Sequence, residues 1–160
     1  MRRKILVGLS LPLLLVLALA LSACGGGAAA VKPTWITPVV NGDSVSLPLA
    51  TVQADTIVHF FVATSDGKES FMAYQYGGTT YVRADICVPC RSIDFSLKGD
   101  ILVCDSCGTT FSATTGKGVS GACKAYPKSE VKWQNTSGNL VVSMSDLATA
   151  YRNTVTRTGQ

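Results

Sequence analysis

The chain has 160 residues and a formal net charge of +4 at pH 7. Three of its 14 basic residues are Arg2, Arg3 and Lys4, and the first 23 residues contain no acid, so the remainder has 11 bases against 10 acids. A nearly neutral remainder has no basic patch that could neutralise a phosphate backbone, which excludes nucleic acid as a partner. The remaining 137 residues are enough for one domain with a modest core.

Residues 1–23 have the composition of a bacterial signal peptide. Their basic start is followed by an apolar run over residues 5–21 and then by small residues. Residues 21–24 (LSAC) resemble a lipobox, and this resemblance implies cleavage before Cys24 and diacylation of its sulfur. We therefore expect a lipid-anchored protein at the cell membrane, facing outside the cytoplasm, with membrane lipid as a partner through acylated Cys24.

Two alternatives concern this same segment. The apolar run is long enough to span a bilayer, so a transmembrane anchor is the alternative to a cleaved signal. The pair Arg2-Arg3 fits a loose twin-arginine pattern, which leaves the export route open. Beyond the signal, residues 24–34 are small and are predicted to form a flexible tether, and residues 35–160 are predicted to form a single domain.

The domain is rich in short segments of β-branched and aromatic residues bounded by turn residues, a pattern typical of strands. The predicted strands are residues 45–49, 56–63, 70–76, 79–84, 131–133 and 140–144, together with a hairpin over residues 95–103. One helix is predicted at residues 145–155, capped by Ser145 or Asp146. The expected fold class is all-β, with one short C-terminal helix.

Four of the five cysteines after Cys24 form two C-x2-C pairs, Cys87/Cys90 and Cys104/Cys107, separated by 13 residues. Two residues between thiols let both sulfurs point inward from one turn, and the predicted hairpin between the pairs would bring the turns together. This spacing is typical of a tetrahedral site of four thiolates.

Other uses of these cysteines are less consistent with the sequence. Two disulfides are permitted outside the cytoplasm, but C-x2-C disulfides are usually redox-active rather than structural. Covalent haem attachment is excluded because Arg91 and Gly108, not histidine, follow the pairs. The spacing itself does not separate zinc, a single iron ion and an iron-sulfur cluster.

A series of motifs between Gly42 and Leu147 resembles the membrane iron-sulfur-containing FtrD-like domain family. The segments that carry the resemblance are residues 43–49, 66–68, 83–90 (RADICVPC), 98–108 (KGDILVCDSCG), 111 and 121–123 (GAC). The resemblance implies that the two cysteine pairs bind an iron-sulfur cluster or another metal, and it places Cys123 at the position of the family's fifth cysteine. The role of Cys123 is open between an accessory ligand, a spare buried thiol and an intermolecular or redox thiol. Cys123 is followed by Lys124-Ala125, where the family pattern has Asn-Pro.

Residues 104–111 and 115–121 also resemble the second cluster-binding box of Rieske ferredoxins. Cys107 occupies the position of a histidine in that box. This resemblance implies a small Rieske-like or β-sandwich domain with a four-cysteine metal site on two knuckles, that is, two tight turns that each carry one cysteine pair. Ligation by four thiolates should give a lower reduction potential than ligation that includes two histidines.

The expected function is one-electron transfer by a membrane-anchored protein, with a [2Fe-2S] cluster as the favoured cofactor and a redox protein or membrane transporter as partner. A non-catalytic role is favoured over an enzymatic one. The alternatives are a structural zinc module or a metal carrier, with zinc or mononuclear iron bound. The single histidine, His59, is expected to be a packed or solvent-facing strand residue. Four lysines are expected to form a solvated face: Lys117, Lys124, Lys128 and Lys132.

Overall fold

The computed structural model describes residues 28–156 of the chain. The predicted signal peptide and the predicted acylation site at Cys24 lie outside the described residues. Among residues 28–156, no helix has the length and apolar character needed to cross a membrane.

Strands dominate the described part of the chain, as the sequence predicts, which confirms the all-β fold class. In chain order the elements are β1 (Thr34–Trp35), β2 (Val39–Asn41), β3 (Ser44–Pro48), α1 (Leu49–Asp55), β4 (Ile57–Thr64), β5 (Gly67–Tyr76), β6 (Thr79–Ala84), β7 (Phe95–Lys98), β8 (Ile101–Cys104), β9 (Thr110–Ser112), β10 (Gly118–Ser120), β11 (Gln134–Thr136), β12 (Asn139–Ser143) and α2 (Met144–Val155).

Between residues 28 and 156 these strands form three four-stranded sheets. The central sheet has the order β1-β4-β5-β6, the site sheet β10-β9-β8-β7 and the terminal sheet β11-β12-β3-β2. Strand β1 pairs with β4 in parallel, and the other neighbouring strands are antiparallel. The predicted meander over residues 56–84 corresponds to β4, β5 and β6, and the predicted hairpin over residues 95–103 corresponds to β7 and β8.

The central sheet separates two hydrophobic cores. Successive side chains of a strand point to opposite faces, and β5 is buried on both. Phe71 and Ala73 lie in the first core, with residues of the terminal sheet and α2. Met72 and Tyr74 lie in the second core, with residues of the site sheet. The second core therefore attaches the site sheet to the rest of the domain.

The short strands β1, β2, β9 and β10 were not predicted, and three further local features differ from the prediction. Helix α1 was not predicted, because its seven residues are too few to show a helical period. The strand predicted at residues 131–133 is wrong: Val131 is a core residue whose N–H donates to Val82 at 2.8 Å, and the strand begins at Gln134. The cap of α2 is Ser143 rather than Ser145 or Asp146, since the Asp146 amide donates to the Ser143 hydroxyl at 3.0 Å.

The chain approaches the domain along the edge of the site sheet. Val31 and Leu97 exchange two backbone hydrogen bonds of 2.7 and 3.0 Å, and Lys32 forms an ion pair of 2.9 Å with Asp105. The C-terminal part of the predicted tether, residues 24–34, is therefore attached to the domain next to the second cysteine pair.

Gly116 provides a test of how closely the loops beside the site sheet pack. It has a φ of +71°, and a Cβ there would lie 2.2 Å from the carbonyl oxygen of Lys128. We expect Gly116→Ala to lower the free energy of unfolding by about 3 kcal/mol or more, because it combines a left-handed backbone with a steric clash. The measurement is urea denaturation followed by circular dichroism.

Gly138 is the matched control for this substitution. Its φ is +81°, but no atom lies within 4 Å of the position that an added methyl group would occupy, so Gly138→Ala should cost only the conformational strain of about 1 kcal/mol. Equal losses of stability in the two variants would contradict the close contact at Gly116.

Candidate metal centre

The two cysteine pairs converge on one point, as the spacing predicts. The Sγ atoms of Cys87, Cys90, Cys104 and Cys107 all lie within 4.8 Å of one another. Two of the separations are 3.8 Å, between Cys87 and Cys107, and 3.7 Å, between Cys90 and Cys104. These distances are too long for disulfides, and the five cysteines in the described range are all free thiols.

Two of the six sulfur separations, 3.8 and 3.7 Å, equal the edge of a small tetrahedron, and the other four do not exceed 4.8 Å. Four sulfurs bound at about 2.3 Å to one tetrahedral ion lie about 3.8 Å apart. Cysteines that bind different irons of a cluster must be farther apart, because bridging sulfides separate the irons. The four thiols could therefore hold a single zinc or iron ion without rearrangement, whereas a two-iron cluster would require them to spread.

Each cysteine pair lies on a turn of the same construction, which we call the first knuckle (residues 87–92) and the second knuckle (residues 104–109). In each knuckle the N–H of the first cysteine donates to the carbonyl five residues later, at 2.7 Å in the first knuckle and 2.9 Å in the second. The residue after the second cysteine has a positive φ in both: 58° at Arg91 and 69° at Gly108. Of these two residues, only Gly108 indicates a positive φ in the sequence, because glycine adopts it without steric cost.

The knuckles also share a pattern of burial. The first cysteine of each pair, Cys87 or Cys104, is buried, and the second, Cys90 or Cys107, is exposed. Burial raises the pKa of Cys87 and of Cys104, so both are neutral thiols in the metal-free protein and must release protons when they bind a metal. The site is thus closed towards the second core and open towards solvent.

Thr109 stabilises the thiolate form of Cys107. Burial disfavours the Cys107 thiolate, but hydrogen bonds from Thr109 and from the neighbouring thiols outweigh burial and lower the pKa of Cys107 to about 6. The Thr109 hydroxyl oxygen accepts from the Cys123 amide at 3.2 Å and from the Cys107 thiol, also at 3.2 Å. Once the thiol ionises, the hydroxyl donates its own hydrogen to the Cys107 sulfur. Thr109 lies in the segment 104–111 that resembles the Rieske box, but no role was predicted for its side chain.

Cys123 is a fifth thiol beside the site. It is buried, and its sulfur lies 3.7 Å from that of Cys107. It is not one of the four sulfurs that are mutually within 4.8 Å. The loop that carries it approaches closely because residue 121 is glycine: a Cβ there would lie 2.6 Å from the Thr109 hydroxyl oxygen.

Lys128 lies behind the site and not on a solvated face, so that expectation is wrong for this residue. Its side chain is only 1% exposed and its ammonium group donates to the carbonyl of Ile86, the residue before Cys87. The nitrogen is 4.4 Å from the ring centroid of Phe111 and 5.3 Å from that of Phe95. Burial lowers the pKa of Lys128 to about 8, opposed by nearby acidic groups.

His59 is a packed strand residue and is not among the converging groups. It is fully buried, with Nδ1 3.0 Å from Oδ2 of Asp85. Asp85 also accepts a hydrogen bond of 2.7 Å from the Ser70 hydroxyl. Burial raises the pKa of Asp85, and the His59 and Ser70 contacts partly offset that increase.

Four converging thiols on two knuckles of a small β domain define a thiolate metal-binding domain. Comparison with known families makes this more specific. Residues 52–153 match the model of the family described as membrane iron-sulfur containing protein FtrD-like, and the chain belongs to this family. This confirms the resemblance seen in the sequence. No curated protein matches the sequence.

Two solved structures are similar to this chain. A chain from the complex of reduced oxygenase and oxidized ferredoxin in carbazole 1,9a-dioxygenase is similar with a TM-score of 0.53 and 21% identity, over 65% of this chain and 95% of that one. The Sphingomonas yanoikuyae B1 ferredoxin is similar with a TM-score of 0.43 and 20% identity, over 52% of this chain and 83% of that one. The first likeness confirms the Rieske-like fold.

Removal of the Thr109 hydroxyl tests its role at Cys107. In reduced, metal-free protein we expect Thr109→Val to raise the pKa of Cys107, because the thiolate loses a hydrogen-bond donor. Alkylation of Cys107 at neutral pH should become several-fold slower. The measurement is the rate of iodoacetamide labelling at this residue, followed by peptide mass spectrometry over a range of pH.

Thr110→Val is the matched control, since the neighbouring hydroxyl pairs with Ser120 at 3.0 Å at the surface. This variant should label Cys107 with the wild-type pH dependence. An unchanged pH midpoint in Thr109→Val would show that the hydroxyl does not stabilise the thiolate.

Proposed function

We propose that this protein transfers single electrons outside the cytoplasm through iron held by Cys87, Cys90, Cys104 and Cys107. The observation that carries the proposal is the convergence of these four sulfurs within 4.8 Å. Membership of a family described as membrane iron-sulfur containing supports iron as the bound metal. Iron in such a site would supply a one-electron redox couple.

The burial of the two knuckles suits electron transfer. The second core surrounds Cys87 and Cys104 with Phe95, Leu102 and Phe111, which exclude water from one side of the site. Cys90 and Cys107 are exposed on the other side. A redox partner protein or a membrane transporter that docks there would come within contact distance of two of the sulfurs, so no substrate needs to enter the domain.

The proposed centre could contain one iron or two. The sequence favours a [2Fe-2S] cluster, and the compact tetrahedral separations favour a single iron. The two centres differ in acid-labile sulfide, which is absent from a site of one iron and four thiolates. The ratio of sulfide to iron therefore distinguishes them directly.

A structural zinc site is the second candidate, and the same sulfur separations favour it. Zinc has no accessible one-electron couple, so a zinc-bound protein would have a stabilising role rather than a redox role. A metal carrier would differ from both because its metal would pass readily to a competing chelator.

Anchoring at the membrane is part of the same proposal. Six residues lie between Cys24 and Val31, and the seven steps from one to the other span at most about 25 Å. Val31 pairs with Leu97 at the edge of the site sheet, and Lys32 with Asp105 in the second knuckle. A lipid on Cys24 would therefore keep the four-cysteine site close to the membrane surface, within reach of a membrane-bound partner.

Anaerobic purification tests the proposed metal centre. We expect protein lacking residues 1–24 to contain iron, to absorb visible light and to undergo reversible one-electron reduction. Replacement of Cys104 by Ser should remove most of the iron, since a tetrahedral site loses one of its four ligands. Iron and sulfide analysis, an absorption spectrum and a redox titration are the measurements.

Cys123→Ser is the matched control, because this sulfur is also buried beside the site but is not one of the four that converge. It should keep the wild-type iron content. A colourless protein containing stoichiometric zinc would contradict the proposed function, and loss of iron in Cys123→Ser would make Cys123 a ligand.

Lipid anchoring is tested in full-length protein expressed in bacteria. Replacement of Cys24 by Ser removes the only sulfur that the lipobox could acylate, so labelling with a radioactive fatty acid should be lost. Cys123→Ser should retain the label. Equal labelling of the wild type and the Cys24 variant would contradict acylation at this position.

A further inference from the structure

Two cations are buried near the four-cysteine site, and both are unusual. Arg83 and Lys128 are each only 1% exposed. Within residues 28–156, neither lies within 4 Å of a carboxylate oxygen. A buried charge without an opposite charge is strongly unfavourable, so each cation requires a compensating interaction.

Arg83 is compensated by neutral acceptors. Its guanidinium donates to the Tyr74 hydroxyl at 2.8 Å, to the Thr114 carbonyl at 2.6 Å and to the Lys128 carbonyl at 2.9 Å. These bonds use all three of its nitrogens and connect the central sheet to the loops around the site. These three hydrogen bonds are sufficient to explain why Arg83 is buried.

Lys128 is not compensated in this way. An ammonium group has three donors, and one oxygen, the carbonyl of Ile86, accepts from it. The faces of Phe95 and Phe111 provide weak cation–π contacts. Asp85, a buried carboxylate that interacts electrostatically with Lys128, is already engaged by Ser70 and His59. Among residues 28–156, Lys128 thus has no carboxylate partner within 4 Å.

The groups that Lys128 contacts belong to both cysteine pairs of the site. Ile86, whose carbonyl accepts from the Lys128 ammonium group, immediately precedes Cys87. Phe95, whose ring centroid lies 5.3 Å from the nitrogen, is paired with Cys104 in the β7–β8 register. Four thiolates around a divalent or trivalent iron give a net negative centre. The backbone holds Lys128 in place, because its N–H donates to Gly116 at 2.8 Å and its carbonyl accepts from Arg83.

We propose that Lys128 is the buried counter-charge of the four-thiolate centre and raises its reduction potential. The inference rests on the proposed function. One electron passes from an external one-electron donor, the redox partner, to the oxidised centre, and no bond forms or breaks. The centre becomes more negative by one unit, so a nearby positive charge stabilises the reduced form more than the oxidised form. Lys128 is a tuning residue and not a ligand.

The test compares the reduction potential of purified holoprotein with that of four variants. Lys128→Met and Lys128→Gln keep most of the side-chain volume and remove the charge, whereas Lys128→Arg keeps the charge. Lys124→Met removes one charge from an exposed position of the same loop. We expect Lys128→Met to lower the equilibrium constant for reduction of the centre about tenfold, which corresponds to a fall in reduction potential of about 59 mV for one electron. Lys128→Arg and Lys124→Met should shift the potential much less.

Each outcome decides the proposal. An unchanged potential in Lys128→Met, with the wild-type spectrum, overturns the counter-charge role and leaves the proposed function intact. If Lys128→Met and Lys128→Gln fold but do not retain iron while Lys128→Arg does, the charge is required and the proposal is supported. Loss of iron from all three Lys128 variants overturns it, because packing alone would then explain the requirement.

A different result would show that the proposed function is wrong, independently of the counter-charge role. If the wild-type protein contains zinc and no iron, electron transfer is wrong, and the counter-charge role is tested by release of zinc to a chelator. Release of zinc that is about tenfold faster from Lys128→Met than from Lys128→Arg supports the counter-charge role. Equal rates of release overturn the counter-charge role.

Discussion

The fold around the site depends on one hairpin. Strands β7 and β8 have four residues each, and their register places Phe95 opposite Cys104. This pairing returns the second knuckle to the end of the hairpin where the first knuckle lies, so that sulfurs 14 and 20 residues apart come within 3.7 and 3.8 Å. A slip of one residue would turn Cys104 away from the second core, because adjacent strand residues point to opposite faces.

The central sheet gives this hairpin a rigid support. Met72 and Tyr74 of β5 contribute to the second core beneath the site, and Tyr74 donates a hydrogen bond of 2.6 Å to the carbonyl of Ala113. Arg83 of β6 extends the same connection to Lys128. The thiols are therefore preorganised by contacts that do not involve a metal. A preorganised site changes little in geometry when a bound metal changes oxidation state, which favours fast electron transfer over a chemical reaction on a substrate.

Charge is distributed unevenly about the site. Asp105 in the second knuckle pairs with Lys32 at the surface, where solvent screens the interaction. Lys128 lies on the opposite, buried side, where the low dielectric makes its charge more effective. The entry of the chain at Val31 places any lipid anchor near the second knuckle. The proposed lipid anchor thus lies near the second knuckle of the proposed redox site, and the proposed counter-charge lies on the buried side of that site.

The sequence alone determined features that depend on neighbouring residues. The two C-x2-C pairs, the turn between β7 and β8 and the alternating strands follow from local spacing, so the four candidate ligands and the fold class were predictable. Helix α1 and strand β11 were not, because short elements lack a periodic signal.

Only the tertiary structure decided which polar residues support the site. Lys128 contacts the carbonyl of a residue 42 positions earlier, and Arg83 contacts a carbonyl 45 positions later. The role of the Thr109 hydroxyl depends on an amide 14 positions away. In the sequence these residues are an ordinary lysine, arginine and threonine. Their burial and their partners arise from the packing of the site sheet on the central sheet, which no local pattern specifies.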